Sequence, residues 1–252
     1  MDGLVLATEV LGQLREHHVS LASTNDRALA WARAGAPHGA MVTADEQTAG
    51  RGRLGRRWVS SAGEGLYVSV VLRPERGWSS QWAALGLAVG LGLREGLAGW
   101  LPGLRLKWPN DLLVGPCKLA GVLCETRWQG AAPDVVVGFG INVLQRELAA
   151  ELHATSLAIE LAPGTCPSRQ VVLATVLLAL ERVLGEFFVG GFPAIRAGYE
   201  RHSAVLGRAL TVGGVAVEGL GFDDDGALRV RAAGGGPSWR VEAEDVWLRG
   251  PG

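Results

Sequence analysis

Arg51, Arg53, Arg56 and Arg57 stand among Gly50, Gly52 and Gly55 in the stretch DEQTAGRGRLGRRW, with Leu54 the one large apolar side chain before Trp58. Four guanidinium groups this close repel one another until an anion sits between them, and glycine leaves the backbone loose. Ordering about eight such residues costs on the order of 8 to 16 kcal/mol as an upper bound. Each charge-assisted hydrogen bond to an anion returns roughly 1.5 to 3 kcal/mol. The expected chemistry is therefore anion binding, by a loop that is mobile when empty and closes over a phosphate-bearing ligand. The glycines also match G-x-G-x-x-G, but no buried strand precedes them and no helical period follows, as a dinucleotide site requires. A P-loop is excluded by the missing Lys-Ser or Lys-Thr pair. A solvated basic loop with no ligand competes with the anion-binding reading at this point.

Three further groups could carry chemistry. Lys107-Trp108-Pro109-Asn110-Asp111 ends a strand with a proline that stops regular pairing, either to present Asn110 and Asp111 at a rim or to make a turn before Leu112. Lys118 enters the run Leu119-Ala120-Gly121-Val122-Leu123, where Gly121 hints at a close approach to the backbone. In DVVVGFGINV, residues 134–143, Gly138 and Gly140 interrupt an apolar strand either as bulges or as a floor for a flat ligand. Ser23-Thr24-Asn25 precedes a helical stretch, and Ser23 with Asp26 reads locally as a capping box.

The elements that must position these groups follow from periodicity and turn signals. Residues 4–16 are expected as a short helix, and a second helix runs from Ser23 through Ala34 to Gly35. Strands are expected at 40–44 and 66–72, then a helix over 79–100 whose Leu85, Val89, Leu93 and Leu97 recur at helical spacing. Strands at 104–108, 119–126 and 134–143, joined by hairpin-like connections, make a mixed or antiparallel sheet. Helices over 168–189 and 192–202 follow. Beyond Leu206, short runs at 209–212, 215–220, 227–231, 238–241 and 246–248, separated by glycine-rich turns, suggest a small barrel. The fold class is thus α+β, with residues 1–204 as one domain and 205–252 as a second.

Composition narrows the function classes. With 24 basic and 25 acidic residues the formal charge is -1, so the arginine loop is a local feature and general nucleic-acid binding is not indicated. Cys117, Cys124 and Cys166 form no C-x-x-C pair, and no secretory leader is evident, so the thiols are expected to be reduced in a cytoplasmic protein. The five histidines are scattered and no zinc motif exists. No apolar run reaches the roughly 18 residues of a membrane span.

Taken in order, Ser-Thr-Asn at 23–25, GRGRLGRRW at 50–58, KWPND at 107–111, KLAGVL at 118–123 and GFGIN at 138–142 resemble the bacterial biotin protein ligases. The resemblance runs from about residue 20 to the C-terminal segment and displaces the idle-loop reading. It implies the mixed-sheet catalytic fold shared by biotin and lipoyl ligases, which is class II synthetase-like. It also implies the reaction: biotin and ATP, arriving with Mg2+, give biotinyl-5'-AMP, and the biotinyl group passes to a lysine of a biotin carboxyl carrier domain.

Position by position, the resemblance implies that Ser23, Thr24 and Gln47 meet the biotin ureido ring, with Asn25 beside them. Arg51, Gly52 and Arg53 correspond to the ligand-ordered loop at the biotinyl carbonyl and the phosphate. Lys118 corresponds to the lysine between carboxylate and α-phosphate, and the Gly121 amide to a further donor to the biotin carboxylate. Asn110 and Asp111 match the nucleotide and metal side, Asn142 the adenylate-binding end of its strand, and Trp58 the adenine or the closed loop. Lys118, Arg53 and Asp111 are the expected catalytic groups, Asp111 also as the base for the acceptor lysine. Many such ligases carry an N-terminal DNA-binding domain of about sixty residues. Here the Ser-Thr-Asn motif arrives at residue 23, so a ligase without operator binding is expected. A homodimer is compatible with the resemblance. Lipoate or octanoate ligase and a non-catalytic biotin-binding module are the rival readings.

Overall fold

The computed structural model describes residues 4–73, 82–129, 132–242 and 246–248. Seven strands form one sheet: β1 (Arg15–Leu21), β2 (Met41–Gln47), β3 (Gly65–Leu72), β4 (Arg105–Lys107), β5 (Asp111–Val114), β6 (Cys117–Gln129) and β7 (Ala132–Asn142). Their order is β1-β2-β3-β7-β6-β5-β4. β1 and β2 are parallel and every other neighbouring pair is antiparallel, so the sheet is mixed as expected.

The two faces of this sheet are sorted by strand alternation. Leu66, Val68, Val70 and Leu72 of β3 join Val135, Val137, Phe139 and Ile141 of β7 in the large core under α2 (Trp82–Leu97) and α3 (Arg169–Arg201). Val71 and Val136 face the opposite way, onto Ala28, Leu29 and Ala32 of α1 (Thr24–Arg33). The same alternation puts Ser69, Gly138 and Gly140 on the α1 face. That face carries the site.

The helix expected over residues 4–16 does not form. Glu181 of α3 accepts hydrogen bonds from the backbone N–H groups of Glu9, Val10 and Leu11, at 2.7, 2.8 and 2.8 Å, and Gly12 adopts φ 74°. Those N–H groups are therefore not available to a helical ladder, and regular structure begins with β1. Asn110 lies in the turn between β4 and β5, and Asp111 starts β5, where it pairs with both Lys107 and Gly121. The two helices expected over 168–189 and 192–202 are present within Arg169–Arg201 and meet at Gly191 (φ 64°, ψ -162°), two residues before Pro193. The start of the helix expected over 79–100 lies outside the described residues.

The expected C-terminal strands are present as β8 (Ala209–Val212), β9 (Val215–Phe222), β10 (Leu228–Ala232), β11 (Ser238–Val241) and β12 (Val246–Leu248). Their order is β11-β10-β9-β8-β12, and among the described residues no ladder joins β11 to β12. The expected barrel is therefore an open five-stranded sheet. It is tied to the rest by Trp108, whose indole N–H donates to the Gly226 carbonyl at 3.0 Å. No described helix is long and apolar enough to cross a membrane. Cys117, Cys124 and Cys166 are free thiols.

Candidate active site

The N-terminus of α1, the arginine loop, the KWPND turn and the glycine-bearing stretches of β6 and β7 enclose a cavity of about 640 Å³. Its lining includes Ser23, Thr24, Asn25, Gln47, Arg51, Gly52, Arg53, Trp58, Asn110, Asp111, Lys118 and Gly121. Twelve of the thirteen residues singled out above thus converge. Asn142 is the exception: it is buried at the end of β7, its amide donates to the Thr155 carbonyl at 2.9 Å, and it does not line the cavity.

One end of the cavity is polar and uncharged. Ser23 occupies the N-cap of α1, but its side chain makes no capping bond and Asp26 is turned elsewhere, so the expected capping box is not formed. The Gln47 carbonyl oxygen accepts from both the backbone N–H (2.8 Å) and the hydroxyl (3.0 Å) of Thr24, which leaves the Gln47 amide nitrogen for a ligand. Asn25 donates to Glu125 (2.7 Å) and to the Leu123 carbonyl (3.2 Å). With the positive end of the α1 dipole beside them, these groups suit a neutral ligand with both donors and acceptors.

The glycines are not bulges, because the β3–β7 and β6–β7 registers run unbroken through Gly138 and Gly140; they make a flat floor of sheet on which Asn25 and Trp58 lie. Gly121 and Gly140 are direct cross-strand partners, and the Trp58 indole lies over both. A Cβ on Gly140 would come within 2.5 Å of that ring, and one on Gly138 within 2.0 Å of the Asn25 side-chain oxygen. The Trp58 indole N–H is buried with no hydrogen-bond partner among the described residues.

The other end is cationic. The arginine loop is a tight hairpin in which Arg51 bridges Arg57, Gly52 N–H donates to the Arg56 carbonyl (2.7 Å) and Trp58 N–H to the Gly50 carbonyl (2.9 Å). Leu54 sits at φ 56° at its tip, exposed. Arg51 turns to Asp26 and Glu125, whereas Arg53 reaches Asn110 Oδ1 at 3.5 Å, and burial pulls the Arg53 guanidinium below its ordinary pKa. Lys118 Nζ lies 2.6 Å from Asp111 Oδ1 and 5.3 Å from the Trp58 ring centroid.

Two cations that the motif reading passed over belong here. Lys107 Nζ is 4.0 Å from Asp111 Oδ2, and it shares the Trp247 ring of β12 with Arg56, at 5.3 and 5.8 Å from the centroid. Burial lowers the Lys107 pKa, with Asp111 opposing and Lys118 and Arg56 adding to the effect. Lys107 was visible in KWPND, but nothing local distinguishes it from a solvated strand lysine. Trp247 is brought here by the second sheet. Among the described residues no group of three or more His, Cys, Asp or Glu could hold a metal ion.

A cavity with a neutral polar pocket, a glycine floor and a cationic rim is built for a ligand that joins an uncharged head to a phosphate. The description "Biotin/lipoate A/B protein ligase family" matches residues 19–142. The biotin--[acetyl-CoA-carboxylase] ligase of Mycobacterium tuberculosis is 35% identical over 232 residues, spanning 89% of this chain and 85% of that one. The chain belongs to the biotin/lipoate protein ligase family. The bifunctional ligase/repressor BirA of Bacillus subtilis, a further relative, is 34% identical over 235 residues, 88% of this chain and 71% of BirA. In three dimensions the chain resembles the biotin protein ligase of Aquifex aeolicus in complex with biotin and ATP, with a TM-score of 0.79, 29% identity, and coverage of 94% of this chain and 99% of that one.

Proposed function

We infer that this chain is an ATP-dependent biotin protein ligase, which activates biotin as biotinyl-5'-AMP and transfers the biotinyl group to a lysine of a biotin carboxyl carrier domain. The carrying observation is the polarity of one cavity. Thr24 and Gln47 stand at its uncharged end, and Arg53, Lys107 and Lys118 stand with Asp111 at the other.

In this reading the ureido ring lies against Ser23, Thr24 and Gln47, with Asn25 behind them, and the acyl chain runs along the Trp58 indole that covers Gly121 and Gly140. The carboxylate then points at Lys118. A carboxylate does not acylate an amine because oxide would have to leave. Attack of its oxygen on the α-phosphorus of ATP, with departure of pyrophosphate, makes a mixed anhydride whose later leaving group is AMP. That step brings two anions together, so fixed positive charge is needed where charge builds up. Lys118 supplies it at the reacting phosphate, Arg53 covers the anhydride, joined by Arg51 and the Gly52 amide once these leave Asp26 and the Arg56 carbonyl, and Lys107 with Arg56 faces the departing phosphates. Asn110 and Asp111 flank the nucleotide. Mg2+ enters as the ATP complex, with Asp111 the protein carboxylate beside it. In the second step the acceptor lysine attacks the anhydride carbonyl, AMP leaves, and Asp111 takes the amine proton.

Incubation with biotin, ATP, magnesium and a carrier domain tests this. The expected result is biotin on one carrier lysine and none when lipoate replaces biotin. Lipoylation of the carrier would favour the lipoate ligase, and biotin binding without any pyrophosphate release would favour a binding module.

A further inference from the structure

Beneath the uncharged end of the cavity lies a residue that no motif marks. Ser69, in the middle of β3, is fully buried, and strand alternation turns it toward the first residues of α1. Its hydroxyl is 2.8 Å from Thr24 Oγ1 and 2.5 Å from Asn25 Oδ1. One hydroxyl has one proton, so it serves one of these acceptors at a time.

The other protons are already committed. The Thr24 hydroxyl donates to Gln47 Oε1, and the two amide hydrogens of Asn25 go to the Leu123 carbonyl and to Glu125. Among the described residues, Ser69 is the one side-chain donor to Asn25 Oδ1, and a buried carbonyl oxygen without a donor is costly. The Ser69 hydroxyl therefore serves Asn25 Oδ1 and Thr24 Oγ1 in turn and ties both to β3. Thr24 Oγ1 gives its own proton to Gln47 and has two lone pairs, so one is left for an N–H from the cavity even while Ser69 donates to the other.

We propose that Ser69 is a positioning residue for the biotin head group: by donating in turn to Asn25 and Thr24 it holds the Thr24 hydroxyl with a lone pair toward the cavity, matched to a ureido N–H. The Gln47 amide nitrogen beside it supplies a donor for the ureido carbonyl. The proposal rests on the biotin ligase reading and adds a residue that touches only the ligand's partners.

The test is a double-mutant cycle read by biotin-dependent pyrophosphate exchange. Ser69→Ala should raise the KM for biotin about tenfold, the cost of one buried hydrogen bond, with kcat within about threefold and the KM for ATP unchanged. Ser69→Cys, which keeps a weak donor, should fall between. In a Thr24→Val background the Ser69→Ala penalty should shrink to about twofold or less, because the two residues act through one contact. A KM for biotin in Ser69→Ala within twofold of the parent, or a full penalty persisting without Thr24, would overturn the proposal. Should Ser69→Ala not fold, direct biotin binding by Ser69→Cys at parental affinity would overturn it equally. A parent that shows no biotin-dependent exchange would instead overturn the functional reading beneath it.

Discussion

Arg51 grips Asp26 with both terminal nitrogens, at 2.6 and 2.7 Å, and its second terminal nitrogen also approaches Glu125 at 3.4 Å. The arginine loop is thereby anchored to the first turn of α1, and the guanidinium holds the Asp26 carboxyl below the usual carboxylate range. Both side chains are well exposed, so the pair contributes at most about 1 kcal/mol to stability. Asp26→Ala should therefore shift the unfolding midpoint little while freeing the loop. Limited trypsin digestion checks this, with faster cleavage at Arg51 or Arg53 expected in the variant and an unchanged rate counting against the anchor.

Lys118 should matter most in the transition state. It sits 2.6 Å from Asp111, at the boundary between the floor and the cationic rim. Lys118→Ala should slow adenylate formation by about a hundredfold or more while biotin affinity changes only a few fold. Pyrophosphate exchange and equilibrium biotin binding, measured on the same variant, separate the two. Unchanged exchange would exclude the role.

Arg53 is half-buried against Asn110 and closes the loop over the cavity. Arg53→Gly should let biotinyl-5'-AMP escape and label exposed lysines on bystander proteins. Mass spectrometry of a mixture containing an unrelated protein should find such labels with the variant and far fewer with the parent. Equal retention of the adenylate by both would end the lid argument.

Burial makes Lys107 a weaker base than an ordinary lysine in the empty protein. A triphosphate beside it favours the ammonium form, so the bound pKa lies above the free one. ATP binding should then take up protons at alkaline pH, between the lowered free pKa of Lys107 and its higher bound one, and affinity should weaken as pH rises through that interval. Calorimetry in buffers of different ionisation enthalpy reads the uptake directly. Lys107→Met should abolish it; uptake persisting in that variant would assign it elsewhere.

The strands and helices that carry short-range periodicity were legible. β3 reads as β-branched alternation, and α2 reads through Leu85, Val89, Leu93 and Leu97. What was not legible depends on distant partners. Residues 4–16 were expected to be helical because nothing local reveals that Glu181 captures their N–H groups. Asn142 was expected at the nucleotide because GFGIN resembles the ligases' adenylate-binding motif, yet the Thr155 carbonyl takes its amide. Ser69 is an unremarked serine in an apolar strand until the sheet brings it to Thr24 and Asn25, more than forty residues away in sequence. The open C-terminal sheet looked like a barrel because strand spacing says nothing about whether the two edges meet.

The most direct test is exchange of labelled pyrophosphate into ATP by the full chain, with and without biotin. The cavity described here predicts exchange that requires biotin and runs at least about a hundredfold faster with it than with lipoate, whose dithiolane offers nothing to Thr24 and Gln47. Exchange that ignores biotin, or that proceeds as well with lipoate, would contradict the account.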